Sequence, residues 1–101
     1  MQIEFAEPAL IELDDAIEYY DMQLTGLGRR FFDEVLETID LIVQFPQLWS
    51  QNSEHTRKAV LREFPYNLIY SVLDDKIYII AVAHQNRAPE YWIDRLSPGS
   101  H

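Results

Sequence analysis

The spacing of apolar residues changes period once along this chain, and that single change restricts the folds open to it. Up to Phe45-Pro46 the apolar residues recur every three or four positions, the rhythm of a helix face. After Arg57 they alternate, the rhythm of a strand with one side buried. With helices followed by strands, one sheet packed on a helical hairpin, an α+β domain of two layers, is the economical arrangement.

Residues 2–6 form a short prelude in which polar and apolar positions alternate, predicting a strand. Glu7-Pro8 then starts a helix, because proline at the first helical position lacks an N–H that would be unpaired anyway. Leu10, Leu13, Ile17, Tyr20 and Leu24 are its expected buried stripe, with Glu12, Asp14, Asp15, Glu18 and Asp21 mostly on the other side. Gly26 and Gly28 mark a break. A second helix follows with Phe32, Val35, Leu36, Ile39, Ile42 and Val43 inward and Asp33, Glu34, Glu37 and Asp40 outward. It ends at Phe45-Pro46, since the residue before proline is pushed out of the α region. The short link between the helices predicts an antiparallel hairpin.

Residues 46–56 have no period and read as a loop. Strands are expected over Arg57–Glu63, Tyr66–Leu73 and Lys76–His84, with Phe64-Pro65 interrupting and Asp74-Asp75 turning the chain. The last strand is apolar on both sides, Ile77, Ile79, Ala81 and Ala83 alternating with Tyr78, Ile80, Val82 and His84, and is expected to be central and covered. Asn86–Tyr91 reads as a turn and Tyr91–Leu96 as a short closing helix or strand. The expected fold is α+β: an N-terminal strand, an antiparallel helical hairpin, then a mostly antiparallel three-stranded segment, in one small sheet packed on the hairpin. One domain over residues 1–96 is expected from a chain of 101. Ser97-Pro98-Gly99-Ser100-His101 differs in character and reads as an appended tag.

Charge narrows the chemistry. The chain carries 17 acids against 8 Lys plus Arg, a net of −9. Residues 1–50 hold 11 acids and only Arg29 and Arg30, whereas residues 51–101 hold 6 of each sign and are neutral overall. A field this negative opposes binding to phosphate backbones, so any nucleic-acid chemistry belongs to the second half. The absence of cysteine rules out a disulfide scaffold, a thiolate zinc site and a thiol nucleophile. Neither a signal peptide nor an apolar run of membrane-spanning length is visible, so the expected compartment is the cytoplasm. Asp14-Asp15 and Asp74-Asp75 are not acid–base pairs, because adjacent side chains diverge on helix and strand alike. No metal-ligand spacing, phosphate-binding glycine loop or nucleophile elbow is present, and no cofactor is expected.

The candidate site residues are Arg57, Arg62, His84, Arg87 and Tyr91. His84 ends the most buried strand and Arg87 follows three residues later, where a rigid scaffold can hold reactive groups. Imidazole as acid or base and guanidinium as a phosphate clamp would suit attack of a ribose 2′-hydroxyl on its neighbouring phosphate. The structural alternatives are a hydrogen-bonded His84, an Arg87 paired with Glu90 or Asp94, and Arg57 and Arg62 on a solvated strand face. Tyr66, Tyr70 and Tyr78 are expected to pack in the core or across strands, and Trp92 to anchor the C-terminal segment.

The run Arg62-Glu63-Phe64-Pro65-Tyr66-Asn67-Leu68-Ile69-Tyr70, then Ile77 through His84, then Arg87-Ala88-Pro89 and Trp92, resembles the RelE/ParE family of type II toxin–antitoxin toxins. Ala16-Ile17-Glu18-Tyr19-Tyr20, Phe31-Phe32 and Ile42 through Phe45-Pro46 fit the same pattern, so the resemblance spans about residues 2–95. It implies a helical hairpin on a small sheet and a growth-inhibiting toxin neutralised by a co-encoded antitoxin, which would supply most of the DNA contact of the complex. RelE-like members cut mRNA in the ribosome. By that resemblance Arg57 and Arg62 would contact phosphate, His84 or Tyr91 would move the proton, and Arg87 would stabilise charge. ParE-like members bind DNA gyrase instead. The charge of −9, with only Lys58 and Lys76 as lysines, departs from the basic RelE-like pattern and favours the gyrase-directed branch. A degenerate toxin that only binds its antitoxin is the third reading. The acidic faces around Glu12–Glu18 and Asp33–Asp40 are expected to meet a basic stretch of the antitoxin.

Overall fold

The computed structural model describes residues 1–96; the expected tag, 97–101, lies outside the described residues. Strand β1 (Gln2–Phe5) leads into helix α1 (Glu7–Gln23) and helix α2 (Leu27–Gln44), followed by β2 (Arg57–Val60), β3 (Tyr66–Leu73) and β4 (Lys76–His84). A 3-10 turn, Ile93–Leu96, comes last. The four strands form one sheet in the order β1-β4-β3-β2. β4 pairs with β3 antiparallel and with β1 parallel, so the N-terminal strand joins the sheet beside the last one. Among the described residues no helix is long and apolar enough to cross a membrane.

The helix boundaries follow their local chemistry. Pro8 opens α1 as expected. Gly26, at φ 91°, caps α2 in the left-handed region that glycine tolerates. The Asp21 carboxylate accepts the N–H groups of Gly26 and Gly28 at 3.0 and 3.3 Å, two of the donors a helix start leaves unpaired. Gly28 lies where α2 packs tightly on α1. A Cβ there would collide with the carbonyl oxygen of Ile17.

Which residues point inward differs from the periodic reading. Small residues carry much of the buried line of α1, with Ala9 and Ala16 beside Leu13 and Ala6 just ahead of the helix. Leu10 and Leu24, expected in the stripe, are exposed, because close packing of α1 on α2 and β4 selects side chains with little bulk. In α2, Phe31, Val35, Ile39 and Ile42 are buried, Phe32 and Val43 lie at the margin, and Leu36 is exposed. Glu34, expected outward, is buried (6% exposed). Its carboxylate accepts the backbone N–H of Arg62 and, at 3.1 Å, that of Glu63. Those amides fall just after β2, which ends at Val60 rather than Glu63, so the carboxylate replaces the ladder bonds this turn cannot make.

β4 corrects the simple alternation. Ile69 pairs with Ala81 and Tyr70 with Ile79, which leaves Ile80 as an extra residue, a β-bulge. Ahead of the bulge Ile77 and Ile79 face the helices; beyond it Val82 does. Ile80, Ala81 and Ala83 line the opposite side with Ile69. Trp92 closes that second cluster, only 3% exposed, and so anchors the C-terminal segment as expected.

Candidate functional site

The side of the sheet away from the helices is only partly covered. Where β4 runs out, the chain turns at His84, passes through Ala88-Pro89, and returns over the sheet to seat Trp92. Between this returning segment and β2 lies a concavity of about 260 Å³, lined by Lys58, Asn67, His84, Arg87, Tyr91 and Trp92 among others. Three of the five expected site residues, His84, Arg87 and Tyr91, therefore share one hollow.

Arg57 and Arg62 are elsewhere. Pleating turns neighbouring strand residues to opposite sides, so Arg57 and Lys58 cannot both face the hollow. The guanidinium of Arg57 donates to the carbonyl oxygens of Trp49 at 2.6 Å and Gln47 at 3.5 Å. Together with Tyr70, whose hydroxyl donates to the Pro46 carbonyl at 2.7 Å, it ties the 46–56 loop to the sheet. Burial raises the pKa of Tyr70, an effect the nearby Arg57 charge opposes. Arg62 reaches back to α2, 3.3 Å from Glu37 and 3.9 Å from Glu34.

Within the hollow, hydrogen bonding decides what each group can do. Nδ1 of His84 accepts the Asn86 N–H at 3.0 Å. In the neutral ring the proton therefore sits on Nε2, making that nitrogen a donor rather than a base. The ring packs edge-on against Tyr66, with centroids 5.0 Å apart. Arg87 lies with its guanidinium 3.9 Å from the centre of the Tyr91 ring, a cation–π contact, instead of pairing with Glu90 or Asp94.

Tyr91 lines the hollow with its ring and sends its hydroxyl away from it, donating to Glu12 at 2.5 Å. Burial, that hydrogen bond and the Glu12 charge hold its pKa well above the ordinary phenol value, with Arg95 and Arg87 opposing. Glu12, expected on the solvated face of α1, is the hub of this corner. It accepts the Val82 N–H at 3.0 Å and both arms of the Arg95 guanidinium at 2.9 and 3.2 Å. Arg95 also donates to the Ile80 carbonyl at 3.0 Å. Burial disfavours the Arg95 charge, but Glu12 more than offsets it and the net pKa shift is upward. The pair thus satisfies the rim of β4 that β1, ending at Phe5, leaves unpaired.

Lys58, Asn52 and Asn67 line the hollow without having been singled out from the sequence. The signal for Lys58 was its parity relative to Arg57. Among the described residues no group of three His, Asp or Glu side chains is placed to hold a metal ion.

Residues 3–89 match the family described as the ParE toxin of the type II toxin–antitoxin system, parDE. No match to a curated protein sequence was found. Among solved structures the chain is similar to one titled as the chromosomal ParDE toxin–antitoxin system from P. aeruginosa, with a TM-score of 0.73 and 18% identity over 83% of this chain and 95% of that one. It is also similar to an arginine-substituted mutant of E. coli toxin RelE in complex with an antitoxin RelBc peptide, with a TM-score of 0.63 and 20% identity over 96% of this chain and 95% of that one. The isolated E. coli RelE toxin gives a TM-score of 0.64 and 20% identity over 95% and 98%. At these identities the structural likeness establishes a shared fold.

Proposed function

Because this chain belongs to the family of ParE toxins of type II toxin–antitoxin systems, we propose that it stops growth by binding DNA gyrase and that a co-encoded antitoxin neutralises it. One observation carries the choice of a protein target over mRNA cleavage. Neither of the two groups that could move a proton at the hollow is free to take one: His84 already accepts at Nδ1 from Asn86, and the Tyr91 hydroxyl keeps its proton in a bond to Glu12. Cleavage at a ribose 2′-hydroxyl needs one group free to take a proton and another free to give one. Arg57 and Arg62, the expected phosphate contacts, are occupied outside the hollow. The net charge of −9 works in the same direction, opposing entry into a phosphate-lined site.

An antitoxin partner is supported by the neighbours titled as toxin–antitoxin complexes. With Glu12 and Glu34 satisfied internally, the acids of the Glu12–Glu18 face available to a basic antitoxin segment are Asp14, Asp15 and Glu18, all exposed. DNA contact in such a complex comes mainly from the antitoxin.

The test is pulse labelling of DNA and protein synthesis in the first minutes after inducing the chain alone, with and without His84→Ala. The expected result is that DNA synthesis falls first and that the substitution leaves this unchanged. Protein synthesis falling first, with His84→Ala restoring it, would establish the ribonuclease reading instead. No growth effect from verified soluble protein would reduce the chain to an antitoxin-binding module.

A further inference from the structure

The eight Lys and Arg residues divide in a way that the overall acidity makes conspicuous. Arg29 pairs with Asp33, Arg30 with Glu63, Arg62 with Glu37, Lys76 with Glu4 and Arg95 with Glu12. Arg57 donates to backbone carbonyls. The side chains of the remaining two, Lys58 and Arg87, have no hydrogen-bond or carboxylate partner among the described residues, and both line the same hollow. Glu90 also lines it, at φ 62°, but forms no ion pair with either cation.

Three further features shape what the hollow accepts. The Tyr91 ring supports the face of the Arg87 guanidinium, leaving its N–H edges to a ligand. His84 adds an Nε2 donor, as its Nδ1 bond dictates. Beneath these groups lie the apolar side chains of Ile69, Ala83 and Trp92. We infer that this hollow anchors a carboxylate-bearing segment of a protein partner, an Asp or Glu side chain flanked by an apolar residue.

Size and charge select that occupant. Pockets for whole small molecules run to roughly 300–1,000 Å³, and about 260 Å³ suits one anchoring side chain with its neighbour. A polyanion brings further phosphates against the −9 field, whereas one carboxylate meets the two local cations alone. An aliphatic neighbour finds the apolar floor. The inference rests on the reading that this toxin acts on a protein.

The experiment is amide NMR titration of the purified full chain at low salt with acetyl-Glu-Leu-Glu-amide. The controls are acetyl-Gln-Leu-Gln-amide and inorganic phosphate. The Glu peptide is expected to shift Lys58, His84, Arg87 and the Trp92 indole, with affinity falling at least about tenfold in Lys58→Gln and in Arg87→Ala, since each removes a charge-assisted hydrogen bond to the carboxylate. Spectra unchanged outside the hollow show that the variants fold. Equal binding of the Gln peptide, stronger shifts from phosphate at equal concentration, or no shifts at all would each overturn the inference. These outcomes separate from the gyrase reading: a toxin that halts DNA synthesis but ignores the peptide loses only the anchor site. One that binds the peptide but halts translation first loses only the gyrase target.

Discussion

Glu12 and Arg95, 83 residues apart in sequence, meet in a two-armed ion pair at the rim of the sheet, with side chains only 16% and 19% exposed. The pair draws in Tyr91, Val82 and Ile80, so helix, bulge and C-terminal turn share one polar junction. Arg95→Ala is expected to cost about 2–4 kcal/mol in urea unfolding, because it strands a shielded carboxylate. Replacing both residues by Gln and Met together is expected to cost less than Arg95→Ala alone, as it leaves no unpaired charge. A loss below about 0.5 kcal/mol for Arg95→Ala would place the pair among ordinary surface contacts.

Glu34 stabilises mainly by a different route, holding two backbone amides, with the Arg62 guanidinium farther off at 3.9 Å. Glu34→Ala should lower the thermal midpoint by roughly 10 °C, corresponding to about 2 kcal/mol for two amides left without their acceptor. Glu34→Gln keeps one oxygen and should lose about half as much. Equal midpoints for the wild type and Glu34→Ala would show that water substitutes fully for the carboxylate.

The two inter-helix glycines are expected to fail for different reasons. Gly28→Ala forces a Cβ onto the Ile17 carbonyl and so should separate α1 from α2, costing about 1–3 kcal/mol. Gly26 has open space around it but sits at φ 91°, so Gly26→Ala should cost about 1 kcal/mol from backbone conformation alone. Gly26→Asn should recover part of this, whereas Gly28→Asn should recover nothing; denaturant midpoints of the four variants separate the two causes.

Alkaline pH tests the Tyr91 environment. Its folded-state pKa is raised, so the contribution is fully present below about pH 10, the unfolded phenol value. Above that the unfolded chain loses the proton while the folded one retains it, and stability falls as pH rises, by up to about 1.4 kcal/mol per pH unit from this residue. Stability measured between about pH 10 and 12 should decline less steeply in Tyr91→Phe than in the wild type. Identical slopes would mean that the hydroxyl faces solvent.

Local chemistry made much of this fold legible. Pro8 sets the start of α1, the turn at Asp74-Asp75 separates β3 from β4, and both strands occupy the expected residues. Periodicity misplaced the residues whose environment is made by tertiary irregularity. Glu12 and Glu34 look solvated because both are charged in amphipathic helices, yet their partners exist only where β4 bulges at Ile80 and β2 stops at Val60. The same bulge exchanges sides within β4, so Val82 joins the helix-side core while Ala81 leaves it. His84, Arg87 and Tyr91 were findable as a cluster because they follow one another past the end of a strand. Lys58 required knowing which way Arg57 turns.

The parallel pairing of β1 with β4 also orders events during synthesis. Gln2–Phe5 emerges well before its partners Lys76 through Ile79, and the Glu12 carboxylate waits for Arg95. At about 5–20 residues per second, the 83 residues between Glu12 and Arg95 take roughly 4–17 seconds to translate. Until β4 has been made, the helical hairpin can form from local contacts but has no complete sheet to cover its apolar side. The concavity, which needs Arg87, Tyr91 and Trp92, is completed only after β4, so a chain stopped at the end of that strand lacks it.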